Sequence, residues 1–215
     1  MPDREDDMSI APPHVAEAPD ADISETEPLP SWVIPPAEGF TADDLDRLRG
    51  IPPHTELIDG TLVFASPQTR FHALMLFALQ KELDQAAPDH LRVEREMTLK
   101  LGERQRPEPD IVVLHAHADS DMMRTFYEAS DVLLAIEVVS AESAERDRNR
   151  KPQLYAEAGI PHFWRVEYED GQPTVYVHQL NPATHAYTLT GSHRDRLKLS
   201  LPFEIDIDLA AIIKR

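Results

Sequence analysis

Two apolar runs constrain this chain more than any other feature: "IVVL" at 111–114, and "VLLAI" at 132–136, which resumes as Val138-Val139 after Glu137. Stretches so continuously apolar suit strands buried on both faces in the middle of a sheet. Each run carries a carboxylate: Asp110, after Pro109, opens the first, and Glu137 interrupts the second. An uncompensated buried charge costs several kcal/mol, so these carboxylates require a metal, a partner or water. If the two strands are neighbours, both side chains reach one ion, and oxygen donors select a hard cation, Mg²⁺ or Mn²⁺.

Further elements follow from pattern. "TELIDGTLV" predicts a hairpin about Asp59-Gly60, with Glu56 in its first strand. Phe71, Leu74, Met75, Ala78, Leu79 and Leu83 share one helical stripe, predicting a helix over 71–83. "GFTADDLDRL" predicts a short helix with Thr41 as N-cap. "RVEREMTLKL", "HFWRVEY" and "TVYVHQL" predict strands, and "FEIDIDL" an edge strand. A helix is expected over 153–158, closed by Gly159, with Pro152 in its first turn.

Composition narrows the function classes. With 215 residues, the chain is expected to hold one globular domain, 32–215, behind a tail, 1–31, that is disordered, proline-rich and acidic. The tail carries nine acidic residues against Arg4, which leaves -10 of the formal charge of -18 on residues 32–215. Broad nonspecific affinity for nucleic acid is therefore disfavoured, although a local basic groove is not. The absence of cysteine excludes thiol catalysis, thiolate metal sites and disulfides. Neither a signal-like front end nor a membrane-length apolar run is visible, so a soluble cytoplasmic protein without a membrane partner is expected.

Lys151, in "RDRNRKPQLY", would supply a compact positive charge to a scissile phosphate or an attacking water. Arg146, Arg148 and Arg150 beside it form the one concentrated basic stretch, fit either to contact phosphates or to make a solvated turn with Glu145 and Asp147. The plainer alternatives for the others stand as well. Asp110 would be a turn or cap residue, Glu137 an edge charge, Lys151 an exposed cation, and His72 a core-edge histidine. His115 and His117 share a strand end and could bind a transition metal, a pairing more common as surface chemistry. The glycines form no phosphate-cradling loop, and no glycines frame Ser66 or Ser140 as nucleophiles.

In order and spacing, "ELIDGTLV…SP…H…L…L…PDIVVL…EVVS…D…K…Y…GIPHFWRVE" resembles the Uma-two family of restriction endonucleases, a branch of the PD-(D/E)XK nuclease superfamily. The likeness runs from about Phe40 to Leu209. It implies an α/β (α+β) fold with a restriction-endonuclease-like core: a central mixed β-sheet flanked by helices, with extra C-terminal antiparallel strands. It implies a Mg²⁺- or Mn²⁺-dependent endonuclease acting on DNA, in which Glu56, Asp110 and Glu137 are the acidic positions, Lys151 the lysine, and the Val138 carbonyl a further metal ligand. His72, Asp147 and Tyr155 match auxiliary positions, with Arg148 beside them as a DNA-contacting candidate. Val139 stands where the superfamily motif has its lysine, and Lys151 on the following helix fits the migrated arrangement; Thr55 replaces the usual aromatic before the glutamate. The alternative is a catalytically weak nuclease-fold protein that binds nucleic acid or a protein partner. Cutting both strands usually needs two sites related by a two-fold axis, so a homodimer is expected.

Overall fold

The computed structural model describes residues 30, 32–118 and 121–214; the expected disordered tail, 1–31, lies outside them apart from Pro30. The chain runs through β1 (Glu56–Ile58), β2 (Thr61–Val63), α1 (Arg70–Ala86), β3 (Leu91–Arg95), β4 (Thr98–Lys100), β5 (Ile111–His115), β6 (Phe126–Glu128) and β7 (Val132–Val138). There follow α2 (Lys151–Glu157), β8 (His162–Glu169), β9 (Gln172–Asn181), β10 (Ala186–His193), β11 (Arg196–Leu199), β12 (Ile205–Asp208) and α3 (Leu209–Ile213). This is a mixed α+β fold around a six-stranded sheet of order β10-β9-β8-β7-β5-β3.

The two apolar runs are indeed central neighbours. β5 and β7 pair antiparallel with Ile111 opposite Ile136, a register that brings Asp110, just before β5, level with Glu137 near the end of β7. β7 and β8 are parallel, so the chain must cross over between them, and that connection carries α2. On one face of the sheet, Met75, Leu79 and Leu83 of α1 pack against Ile111, Val113, Leu134, Ile136 and Trp164. Val112, Leu114 and Ala135 turn to the other face, where they meet Tyr155 of α2, Leu99 and Phe163. Burial on both sides accounts for the unbroken apolar lettering.

Asp59 and Gly60, at φ +53 and +76, turn the β1–β2 hairpin as expected of that dipeptide. In α1, Thr69 caps the helix by accepting the His72 N–H at 3.2 Å, and His72 faces inward at 5% exposure.

Three expectations are corrected. The helix expected at "GFTADDLDRL" is a single 3-10 turn, Ala42–Asp44. Thr41 stands at the N-cap position with its N–H and hydroxyl both donating to the Asp44 carboxylate at 2.8 Å, but the Ala42 carbonyl is held by Arg106 at 2.9 Å instead of continuing a helical ladder. The single strand expected at "RVEREMTLKL" is broken at Glu96 (φ +55), whose N–H donates to the Asp110 carbonyl at 3.2 Å while the chain leaves the sheet. The helix expected to begin at Gln153 starts at Lys151, behind a π-helical turn, Arg146–Arg150. β12 agrees with expectation: it is an edge strand, paired with β11 in a separate two-stranded sheet, with Asp206 and Asp208 exposed and Ile205 and Ile207 in the α1-side core.

Candidate active site

Glu56 is the middle of a chain of restraints. The β1 backbone exchanges hydrogen bonds with Arg106 at Leu57 (2.7 and 3.0 Å). The Arg106 side chain, 2% exposed, donates to Thr98 Oγ1 at 2.8 Å, to both Asp46 oxygens at 2.8 and 3.0 Å, and to Thr125. This buried guanidinium ties the hairpin to the strands around it. The Glu108 N–H then donates to Glu56 Oε1 at 2.8 Å, fixing the carboxylate itself.

Asp110 is aimed by two bonds. Its Oδ2 accepts the Val138 N–H at 2.6 Å, a link made possible by the β5–β7 register, and its Oδ1 meets His72 Nε2 at 2.8 Å. Burial alone would depress the His72 pKa, but the hydrogen bond and the charge of Asp110 outweigh it and raise the pKa above the usual imidazole value.

Glu137 lies 2% exposed. Tyr155 Oη donates to its Oε1 at 2.5 Å, and Lys151 Nζ to its Oε2 at 3.0 Å. Lys151, also buried, stands 2.7 Å from Glu56 Oε1 and 3.6 Å from Asp147 Oδ1. Burial pushes the Glu137 carboxyl well above the usual carboxylate range, with Lys151 opposing. For Lys151, burial lowers the pKa, yet Glu137, Glu56, Asp147 and Asp110 together overcome it and hold the ammonium well above the ordinary lysine value. Asp147 comes from the π-helical turn, accepts a short bond from Ser143 Oγ, and keeps a buried Oδ1 with no hydrogen-bond partner.

Glu56, His72, Asp110, Glu137, Val138, Asp147 and Lys151 thus line one cavity of about 400 Å³. Tyr155 supports it from the core. Arg148 does not enter: it binds Glu167 on β8, a carboxylate also held by Arg165 at 2.7 Å. Its neighbours are likewise paired, Arg146 with Glu142 at 2.9 Å and Arg150 with Asp59 at 2.6 Å, so the basic stretch is neutralised by the protein's own carboxylates. His115 and His117 stack at 5.6 Å, with His117 largely exposed.

Sequence reasoning passed over Glu108 and His54, which meet at 2.5 Å on the cavity wall. The "PEPD" string, with Glu108 two residues before Asp110, was the available signal.

Among the described residues no three His, Asp or Glu side chains are gathered closely enough to hold an ion. The donor chemistry nevertheless fits a hard divalent cation. Four carboxylates surround one ammonium, one of them with a buried oxygen that accepts no hydrogen bond, and the local excess is negative. Glu56, Asp110, Glu137 and the Val138 carbonyl are the groups that would hold it.

A family model described as "Uma2: Putative restriction endonuclease" matches residues 42–211. No curated protein matches the chain. Among solved structures, one described as "a putative nuclease belonging to DUF820 from Anabaena variabilis" aligns with a TM-score of 0.64 at 14% identity, covering 81% of this chain and 98% of that one. At that identity the likeness is one of fold. No helix among the described residues is long and apolar enough to cross a membrane.

Proposed function

This chain belongs to the Uma2 family, described as "Putative restriction endonuclease", and from that premise we propose that it is a metal-dependent endonuclease hydrolysing DNA phosphodiester bonds. The observation that carries this is the meeting, in one cavity, of Glu56 from β1, Asp110 from the start of β5, Glu137 from β7 and Lys151 from the start of α2. Mg²⁺ or Mn²⁺ bound by Asp110, Glu137 and Glu56, with the Val138 carbonyl, would polarise the phosphoryl oxygen and acidify a bound water. Lys151, held between Glu56 and Glu137, would bring its positive charge to the attacking water or to the phosphate. His72 orients Asp110, and Tyr155 orients Glu137.

The test is Mg²⁺-dependent cleavage of plasmid and single-stranded DNA by the parent, Asp110→Asn and Lys151→Ala, with folding followed by circular dichroism. Folded variants should lose at least about a hundredfold in rate; undiminished cleavage in both would refute the assignment.

A second reading, a nuclease-fold protein that only binds nucleic acid or a protein partner, draws on the position of Lys151, whose ammonium sits between Glu56 and Glu137. Titrating Mn²⁺ while following Tm separates the two. An intact metal site gains stability with ion concentration, and a lost one does not.

The reading includes a cytoplasmic location and a homodimer. For the dimer, the two edges of the main sheet differ. β3 is short and carries Arg92, Glu94 and Arg95, whereas β10, "AYTLTGSH", has no charged residue or proline over eight positions. A bulge at Thr190 interrupts the β10 ladder, but an edge without charge can still pair with another strand, and a second copy joined there would place two sites about a two-fold axis.

A further inference from the structure

Beside the acidic cavity lies a second one, of about 620 Å³, walled by Trp32, Pro36, Phe40, Leu62, Phe64 and Arg104. Phe64 lines both cavities. Its ring, 40% exposed, stands edge-on to Trp32 at 5.4 Å. The Trp32 indole N–H is turned away from solvent and has no acceptor. Arg104 is fixed as a wall. Its guanidinium donates to the Glu38 carbonyl and, at 3.1 Å, to the Asp59 carbonyl. It also lies so close to Gly39 and Gly60 that a Cβ would come within 2.8 Å of it at the first and 2.4 Å at the second. Both glycines have positive φ, so backbone and side chain together leave room only for the arginine.

Aromatic rings and a held guanidinium plane suit a flat ligand with apolar faces. A nucleobase has that form. Resting on the nuclease reading above, we propose that this cavity receives one unstacked base of the substrate strand, next to the phosphate held by the acidic site, and that the substrate class is single-stranded or locally opened DNA. The electrostatics agree. Arg146, Arg148 and Arg150 are each engaged by a carboxylate and residues 32–215 are net negative, so the phosphate grip that duplex affinity needs is weak and stacking must supply the hold. Continuity through Phe64 places the base where a neighbouring nucleotide would lie.

The experiment uses the full chain carrying Asp110→Asn, so that binding is read without cleavage. Fluorescence anisotropy compares a single-stranded 12-mer, its duplex, and a 12-mer of abasic deoxyribose phosphates, for Phe64 and for Phe64→Leu, which keeps an apolar side chain but removes the ring; Phe64→Tyr is the rescue. The single strand should bind more tightly than the duplex. Phe64→Leu should weaken it about tenfold, Phe64→Tyr should restore it, and the abasic strand should bind weakly and equally to all three. Preference for duplex, or single-strand affinity indifferent to Phe64→Leu, overturns the inference; indifference is also what occupation by the chain's own residues 1–29 predicts. Cleavage by the parent is measured separately. Loss of ring-dependent binding with cleavage intact removes the base pocket alone, and ring-dependent binding without cleavage removes the catalytic reading alone.

Discussion

Replacing Lys151 with Met tests the buried ion cluster directly. The ammonium stands 2.7 Å from Glu56, 3.0 Å from Glu137 and 3.6 Å from Asp147, and the side chains of all four are 10% exposed or less. At an effective dielectric of about 20, an ion pair near 3 Å is worth about 5 kcal/mol of gross attraction. Desolvation of the partners offsets much of it, but deleting the cation leaves the carboxylates buried and uncompensated, which costs about 3–5 kcal/mol. Methionine keeps most of the stem's volume, so cavity formation adds little. Since domains of this size are stable by about 5–15 kcal/mol, the variant should sit close to unfolding. Urea denaturation in a chelating buffer, read by the fully buried Trp164, measures it. The decisive comparison is Lys151→Met combined with Glu137→Gln. The double variant removes the most deeply buried unpaired charge and should be more stable than the sum of the single changes predicts, by about 2 kcal/mol. Strict additivity, or a Lys151→Met variant within about 1 kcal/mol of the parent, would refute the picture of an ammonium compensating buried carboxylates.

Tyr155→Phe removes a buried hydroxyl from Glu137 Oε1 and should cost about 1–3 kcal/mol in the same denaturation assay. Arg106→Met should destabilise by about 3–5 kcal/mol, because six hydrogen bonds from a 2%-exposed guanidinium are lost together. Asp46→Asn should cost only about 1 kcal/mol, since that carboxylate is partly solvated. The Arg106 hydrogen bond holds the Asp46 pKa below its usual value, so its contribution is complete above the ordinary carboxylate range and disappears as pH falls through the lowered value; the Asp46→Asn penalty should therefore shrink in acid melts. If β10 joins two copies, Leu189→Lys on that exposed edge should shift light-scattering mass to the monomer without lowering the monomer's Tm, and an unchanged mass would move the interface elsewhere.

The central strands were legible because burial on both faces leaves no room for alternation, and α1 because its stripe faces the sheet. The convergence of Asp110 and Glu137 could be anticipated once those strands were taken as neighbours. The rest depended on partners remote in sequence. Nothing in "EREMT" marks the break at Glu96, whose N–H is claimed by the Asp110 carbonyl. β10 was hidden because its alternation is carried by threonine, glycine and serine. The pairing of Arg148 with Glu167 on β8 could not be read either, because local spacing does not show a partner so remote in sequence. The π-helical turn has no residue signature, yet it presents Asp147 toward the cavity and Ser143.

The side-by-side running of β7 and β8 in one direction obliges the chain to travel back over the strand ends before re-entering the sheet, and Lys151 rides on that return journey. Its address is therefore set by loop length and helix phase instead of the up-down rhythm of a strand. Residues could be gained or lost between Ser140 and Arg146 to re-aim the ammonium while every rung of the sheet stays in register, so the cavity holds a cation although Val139 follows β7.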